Sequence, residues 1–222
     1  MPIVLQIADS AFPTGAFAYS NGLEALARAG SFPDVATLED YLKAYLQQAV
    51  SFDLPFVDAA HASDDANAFT DLCLEWDAYF WNQAVRKASL RQGRALLDLL
   101  REVFPNPELE FLKTHVEDRE YPLHFAPTLG RGLAMLGASR NETQSLYLHS
   151  LLRDQMAAVL RLGLLGPHST QSMQSKILAS VKLPQENVTS AQPEKLEAWR
   201  AAPLVDVGQG GHNFLYSRLF QN

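Results

Sequence analysis

The chain has 222 residues, of which 47% are hydrophobic and 19% are charged, and its formal net charge is −7. This length and apolar content are enough for a folded core and exclude a disordered protein. The acidic balance argues against nucleic-acid binding, because phosphate contacts need a surplus of Lys and Arg. The single cysteine, Cys73, excludes an internal disulfide and a multi-thiolate metal site and is typical of a reducing cytoplasm.

The N-terminal segment contains Ala16-Phe17-Ala18, which has the small-residue pattern of a signal-peptidase site. However, no Lys or Arg precedes Arg28, and Asp9 interrupts the apolar run, so the features of a secretion signal are missing. No run of 18 uncharged apolar residues follows elsewhere. We therefore expect a cytoplasmic protein that does not enter a membrane.

The apolar periodicity is helical from the start of the chain. A first apolar turn reaches Ala8, and the pattern resumes after the break at 13–15. Thr37 is the predicted N-cap of the next helix, because an acid, Asp40, follows three residues later as in a capping box. That helix carries an apolar face formed by Leu38, Tyr41, Leu42, Tyr45, Leu46 and Ala49.

Three helical regions are predicted in the middle of the chain. The first runs from Asp53 to Ala62, with Pro55 in its first turn. A long region from 64 to 104 follows, with a break near Trp81-Asn82, and Pro105 and Pro107 separate it from a helix over 108–117.

Further helices are predicted towards the C-terminus. One contains Gly130 and Gly132, which we interpret as glycines that pack closely against a neighbouring helix. Asn141 or Thr143 is the predicted cap of the most regular helix, which extends to Leu162. Gly166-Pro167 separates that helix from another over 173–181, and the remaining predictions are a linker over 184–193, a last helix over 194–201 and an unstructured tail over 203–222.

No alternating strand pattern and no internal repeat is visible. The sequence therefore predicts an all-α fold: a compact bundle of roughly eight to ten helices with a flexible C-terminal tail. We assign residues 1–202 to one helical domain and residues 203–222 to a C-terminal tail.

The common enzyme motifs are missing from the sequence. No lysine follows a glycine, which excludes a P-loop, and neither His-Glu-x-x-His nor Gly-x-Ser-x-Gly occurs. We predict no catalytic residue. Asp58 and His61 lie three positions apart on a predicted helix and could ligate a metal in an all-helical metal-dependent enzyme. Such pairs are more often solvated i,i+3 partners, so we predict no metal ligand.

Lys87, Arg91 and Arg94 fall on one face of a predicted helix at steps of four and three residues. They form either a solvated helix face or a basic stripe for an acidic partner protein, whose association such charges would accelerate and orient.

Four blocks of the sequence resemble proteins of the UreF family of urease accessory proteins. The first is the opening, with Ala8-Asp9-Ser10, Pro13-Thr14-Gly15 and Gly22-Leu23-Glu24. The others are Arg86-Lys-Ala-Ser-Leu-Arg-Gln-Gly-Arg-Ala-Leu-Leu97, Val159-Leu-Arg-Leu-Gly-Leu-Leu-Gly166 with Gln171 beyond it, and the segment 203–220 that ends in Tyr-Ser-Arg-Leu-Phe220. The blocks occur in the family's order over nearly the whole chain.

The resemblance implies a homodimeric, all-α adaptor that is not an enzyme. It would bind the accessory protein UreD, also called UreH, and recruit the GTPase UreG. The assembled complex would handle nickel and insert it into apo-urease in a GTP-dependent step, with no cofactor bound stably to this chain.

The resemblance also implies that the tail over 203–222 binds a partner and folds on binding; the alternative is that the tail docks on the chain's own helical bundle. It further implies which residues bind partners. They are Asp9, Ser10, Pro13, Thr14, Gly15, Tyr19, Ser20, Glu24, Lys87, Ser89, Arg91, Arg94, His212, Tyr216, Ser217, Arg218, Leu219 and Phe220. The chain departs from the family at Ala16, Tyr19, Ala84 and Asn213, where the family has Gly, His, Glu and Glu. These departures leave open the alternative of a diverged structural subunit without a role in metallocentre assembly.

Overall fold

A computed structural model describes residues 2–15, 18–80, 82–183, 196–211 and 214–221. Throughout these residues the regular structure is helical and no strand occurs, so the prediction of an all-α fold is confirmed. No helix in this part of the chain is long and apolar enough to cross a membrane.

The helices follow one another in a simple order, with a π-helical turn at Ala49–Asp53 between the third and the fourth. They are α1 (Pro2–Ala8), α2 (Leu23–Arg28), α3 (Val35–Gln48), α4 (Leu54–Ala62), α5 (Ala66–Ala78), α6 (Gln83–Val103), α7 (Pro107–Glu117), α8 (Phe125–Met135), α9 (Arg140–Arg161), α10 (Pro167–Ser180) and α11 (Pro203–Gly211).

Side-chain caps determine where several of these helices begin. Asp34, Asp65, Asn82 and Asn106 each accept a hydrogen bond from a backbone N–H in the first turn of α3, α5, α6 and α7. Thr37, predicted as a cap, instead donates its N–H to Asp34 at 2.8 Å. Aspartate is the stronger cap, and it starts the helix at the preceding turn.

The cap of α9 also differs from the prediction. Ser139 and Glu142 form a reciprocal capping box, in which Ser139 N–H donates to Glu142 Oε2 at 2.8 Å and Glu142 N–H donates to Ser139 Oγ at 3.3 Å. The predicted caps Asn141 and Thr143 both lie inside the helix. A serine followed three residues later by glutamate was the stronger signal in this stretch.

The chain divides into two compact units. The described residues within Met1–Gly15, Asp53–Tyr147 and Gln185–Ala198 form unit one, and those within Ala16–Phe52, Leu148–Pro184 and Trp199–Asn222 form unit two. The domain boundary that the sequence suggested at residue 202 stays a prediction.

Unit one is built around the pairing of α4 with α8, which also packs against α6. A Cβ at Gly130 would lie 2.2 Å from the carbonyl oxygen of Val57, and one at Gly132 would lie 2.5 Å from Leu100 Cδ1. Both glycines therefore permit close helix packing, as interpreted from the sequence. Phe56 is fully buried beside them and meets Trp76 edge to face at 4.8 Å.

The segment before α11 differs from the predicted helix over 194–201. The described residues 196–201 are not helical, because Ser51 binds the backbone of Trp199 on both sides. Trp199 N–H donates to Ser51 O at 3.1 Å, and Ser51 Oγ donates to Trp199 O at 3.0 Å. These bonds replace the hydrogen bonds that a helix would make. The linker predicted over 184–193 lies outside the described residues.

The C-terminal region also differs from the prediction of an unstructured tail. Residues Pro203–Gly211 form α11, which packs against α2 and α3 in unit two. Arg200 is held at its start by an ion pair with Asp206 at 2.6 Å and by the ring of Phe52 at 4.5 Å. Tertiary packing of this kind stabilises a helix whose glycine-rich sequence has a low intrinsic propensity.

Candidate partner-binding site

A glycine contact joins the first and the last sequence block in unit two. Gly22 has φ +92°, and a Cβ at this position would lie 2.5 Å from the backbone nitrogen of Gln209. Gly208 faces it from α11, where a Cβ would lie 2.7 Å from Leu26 Cδ1. Only glycine allows the two backbones to approach this closely, so these residues seat α11 on α2.

The end of the chain is anchored on the carboxylate of Glu24, which is fully buried. The N–H of Leu219 donates to Glu24 Oε1 at 2.9 Å, and the N–H of Phe220 donates to Oε2 at 3.3 Å. Arg28, one helical turn further along α2, donates to Oε1 from Nε and Nη2 at 3.2 and 3.1 Å. The buried charge is thus matched by charge-assisted hydrogen bonds.

Arg161, at the end of α9, covers the same chain terminus. Its Nη2 donates to the carbonyl of Leu219 at 3.0 Å, and its guanidinium lies 4.0 Å from the ring centroid of Phe220. The N–H of Gln221 donates to Ala18 O at 2.8 Å and adds a further backbone contact. Sequence reasoning placed Arg161 in the third block but missed its role. The available signal was that the third block contains Arg161 and the fourth block ends in Phe220, a pair that can form a cation–π contact.

The side chains that precede this anchor point outwards. Phe214 is 90% exposed, Tyr216 is fully exposed and Leu219 is half exposed, whereas Phe220 is buried. Ser217 and Arg218 are also exposed. Unit two exposes further large apolar side chains close in sequence, at Trp199, Leu204 and Val207. The C-terminal segment therefore presents apolar and aromatic side chains to solvent from an anchored backbone.

The site residues predicted near the N-terminus are divided between the units. Asp9, Ser10, Pro13 and Gly15 are exposed and Thr14 is partly exposed, all in a turn of unit one where Ala11 N–H donates to Asp9 Oδ1 at 2.8 Å. In unit two, Tyr19 and Ser20 are buried. The carbonyl of Ser20 accepts a hydrogen bond from Gln155 Nε2 at 2.9 Å. The predicted residue His212, and the departures at Ala16 and Asn213, lie outside the described residues.

The residues of the second block lie on two different faces of α6. Lys87, Arg91 and Arg94 are exposed on one face, as the spacing predicted. Ser89 and Gly93 point elsewhere, towards the segment that precedes α8. A Cβ at Gly93 would lie 2.3 Å from the carbonyl oxygen of Leu123, so this glycine, too, permits a close contact.

A buried histidine organises that segment of unit one. The ring of His124 donates from Nε2 to Asp77 Oδ1 at 2.9 Å, and Nδ1 accepts from Ser89 Oγ at 3.1 Å. Asp77 also accepts two hydrogen bonds from Arg86, at 2.6 and 2.9 Å. Ser89 Oγ accepts in turn from the N–H of Phe125 at 3.3 Å. The network ties α5, α6 and the start of α8 together.

The pKa values in this network follow from burial and from its ion pair. Burial lowers the pKa of His124 to about 4, although the hydrogen bond to Asp77 opposes the shift. Burial alone would raise the pKa of Asp77, but the hydrogen bonds from Arg86 and His124 hold it below its usual value. At neutral pH, His124 is therefore an uncharged imidazole beside a charged carboxylate. The Arg-x-Ala-Ser pattern of the second block provides structural contacts at Arg86 and Ser89.

The side chains considered as metal ligands have partners within unit one. Asp58 accepts from Arg140 Nη2 at 2.6 Å and from Gln144 Nε2 at 2.8 Å, and His61 Nε2 lies 2.9 Å from the carbonyl oxygen of Ala138. Within the described ranges, no group of three or more His, Cys, Asp or Glu side chains could hold a metal ion. The arrangement of Asp58 and His61 is that of a packed helix contact.

Comparison with known proteins is consistent with the sequence resemblance. The family model described as UreF matches residues 33–178. The chain is 35% identical to urease accessory protein F of Arabidopsis thaliana over 217 residues, which cover 97% of this chain and 90% of the plant protein. It is 32% identical to urease accessory protein F of Oryza sativa, covering 97% and 82% of the two chains, and 29% identical to urease accessory protein UreF of Methylorubrum populi, covering 95% and 94%. The chain belongs to the UreF family, whose members are urease accessory proteins and not enzymes.

Proposed function

We propose that this chain is a cytoplasmic scaffold for nickel insertion into urease. As a homodimer it binds the accessory protein UreD, also called UreH, and recruits the GTPase UreG to apo-urease. Nickel is the cargo of the assembled complex and is not a cofactor of this chain. Membership of an accessory-protein family supports this role.

The observation that carries the proposal is the exposure of Phe214 and Tyr216 on an anchored C-terminal segment. Exposed aromatic side chains are costly to leave in water and dominate the energetics of protein interfaces. Anchoring lowers the entropy that is lost when such side chains dock on a partner. We therefore assign the UreD-type partner to this surface.

The exposed stripe of Lys87, Arg91 and Arg94 supports a second contact, in unit one. Three cations on one helix face create a local positive potential on a chain whose net charge is negative. We assign this stripe to an acidic surface of another component of the assembly, where it increases the association rate.

The proposal is tested by binding and urease activation together. The double variant Phe214→Ser/Tyr216→Ser is compared with Phe111→Ser, which removes a similarly exposed aromatic side chain from α7 in unit one. We expect the double variant to bind the UreD-type protein at least about 10-fold more weakly, given the usual energies of aromatic interface residues. It should also fail to restore urease activity in a strain lacking this gene, whereas Phe111→Ser should restore it. Full binding and activation by the double variant would refute the assignment.

A further inference from the structure

Glu24 is the buried charge on which the C-terminal segment depends. The residue is 0% exposed, and both carboxylate oxygens accept hydrogen bonds from within unit two. While Leu219 and Phe220 occupy it, this carboxylate cannot contact another protein. Glu24 can therefore affect partner binding only through the C-terminal segment that it holds.

Arg161 contacts the same two residues as Glu24. Glu24 accepts the N–H groups of Leu219 and Phe220, and Arg161 donates to the carbonyl of Leu219 and covers the ring of Phe220. Together they bind main-chain donors, a main-chain acceptor and one aromatic ring. This is the chemistry of a peptide-binding site, filled here by the chain's own end.

The anchor determines which side chains of the segment face outwards. Because Phe220 is turned inwards and the backbone at 219–221 is held at both Glu24 and Ala18, Tyr216 and Phe214 are left on the outside. Without these hydrogen bonds the segment would have to become ordered during binding, which reduces affinity without changing any contact to the partner.

We propose that Glu24 and Arg161 are positioning residues for partner binding. They form a clasp that orders residues 214–221 before the partner arrives, and they set its affinity without touching it. This inference rests on the proposed role of the C-terminal segment. It assigns to Glu24 an internal role in place of a direct contact, and it adds Arg161 to the site.

Two substitutions open the clasp by different means. Glu24→Gln keeps the shape of the side chain but replaces one acceptor oxygen with an NH2 group that faces backbone donors. Arg161→Ala removes an exposed side chain at the end of α9 and therefore leaves the core of unit two intact. Lys176→Ala is the matched control, because it removes another exposed cation of unit two, on α10, whose hydrogen bond goes to Glu39.

Amide hydrogen exchange and binding to the UreD-type protein are measured on each full-length variant. We expect the amides of Leu219 and Phe220 to lose protection in Glu24→Gln and Arg161→Ala while amides in α3 and α9 keep theirs. Affinity should fall about 10-fold, in line with the loss of one charge-assisted hydrogen bond. Lys176→Ala should change neither measurement.

The outcomes separate the clasp from the proposed function. Removal of 214–222 without loss of binding would refute the assignment of the partner to this segment. If that deletion abolishes binding while Glu24→Gln and Arg161→Ala bind as wild type, the clasp is refuted and the proposed function stands. Unchanged protection of the Leu219 and Phe220 amides in both variants would also refute the clasp.

Discussion

The carboxylate of Glu24 accepts the N–H of Leu219 at 2.9 Å, although the two residues are 195 positions apart. This contact joins the first sequence block to the last, and Arg161 brings the third block to the same place. The fold therefore brings the Gly22-Leu23-Glu24 part of the first block together with the third and fourth blocks in unit two, whereas Asp9 to Gly15 belong to unit one. The second block lies in unit one, where Arg86 and Ser89 form hydrogen bonds in the network around His124.

The contact between Gly22 and α11 predicts a large loss of stability on substitution. Gly22→Ala should cost about 1–2 kcal/mol for the left-handed backbone and about 1–3 kcal/mol more for the clash with Gln209. Gly30→Ala is the matched control, because Gly30 also has a positive φ (+73°) but a Cβ there would meet nothing within 4 Å. Urea unfolding of both variants measures the difference, and equal losses would show that the clash relaxes without cost.

The pKa of His124 predicts acid-sensitive stability. Its pKa is about 4 in the folded chain and 6.5 ordinarily, so the unfolded chain binds more protons between these values. The free energy of unfolding should therefore decrease as the pH falls from 6.5 towards 4, by about 3 kcal/mol at most.

His124→Gln provides the comparison for this pH dependence. The pKa of His149 is also lowered, by burial, and contributes in the same direction. The contribution of His124 is therefore the difference between wild type and variant in urea unfolding at several pH values. Parallel profiles over pH 4–6.5 would contradict the assigned protonation state.

The basic stripe on α6 predicts an effect on kinetics and not on folding. Reversing Lys87, Arg91 and Arg94 to glutamate should slow association with the acidic partner about 10-fold or more at low salt, and added salt should reduce the difference. The thermal midpoint should stay close to that of wild type, because the three side chains are exposed. Stopped-flow association and a thermal melt test both statements, and identical association rates would identify the stripe as solvated surface.

The hydrogen bond that Asp9 makes in its turn predicts a small effect of substitution on the free energy of unfolding. Its Oδ1 accepts the N–H of Ala11 in an exposed turn, so Asp9→Ala should cost about 0.5–1 kcal/mol. Asp9→Asn keeps the acceptor oxygen and should restore most of the stability. Chemical unfolding of the two variants is the measurement, and equal destabilisation by both would show that the charge matters more than the hydrogen bond.

Local signals in the sequence predicted much of the helix pattern. Asp53–Ala62, with Pro55 in its first turn, corresponds to α4, and the break near Trp81-Asn82 falls between α5 and α6. The errors concern groups with competing partners. Thr37 gave way to Asp34 as a cap, and Ser51 prevented a helix at Trp199 by binding its backbone. Such competition depends on residues that a local pattern does not include.

By itself, the sequence determined the all-α fold class, most helix positions and membership of the UreF family, because apolar periodicity is a local property and the order of the blocks is read directly along the chain. The tertiary structure alone decided that Pro203–Gly211 is helical and that Glu24 and Arg161 hold Leu219 and Phe220. The glycines of α11 disfavour a helix in isolation, and packing of Val205 and Gly208 in unit two overcomes that preference. Contacts between residues far apart in sequence form only when the whole core packs, and no local pattern encodes them.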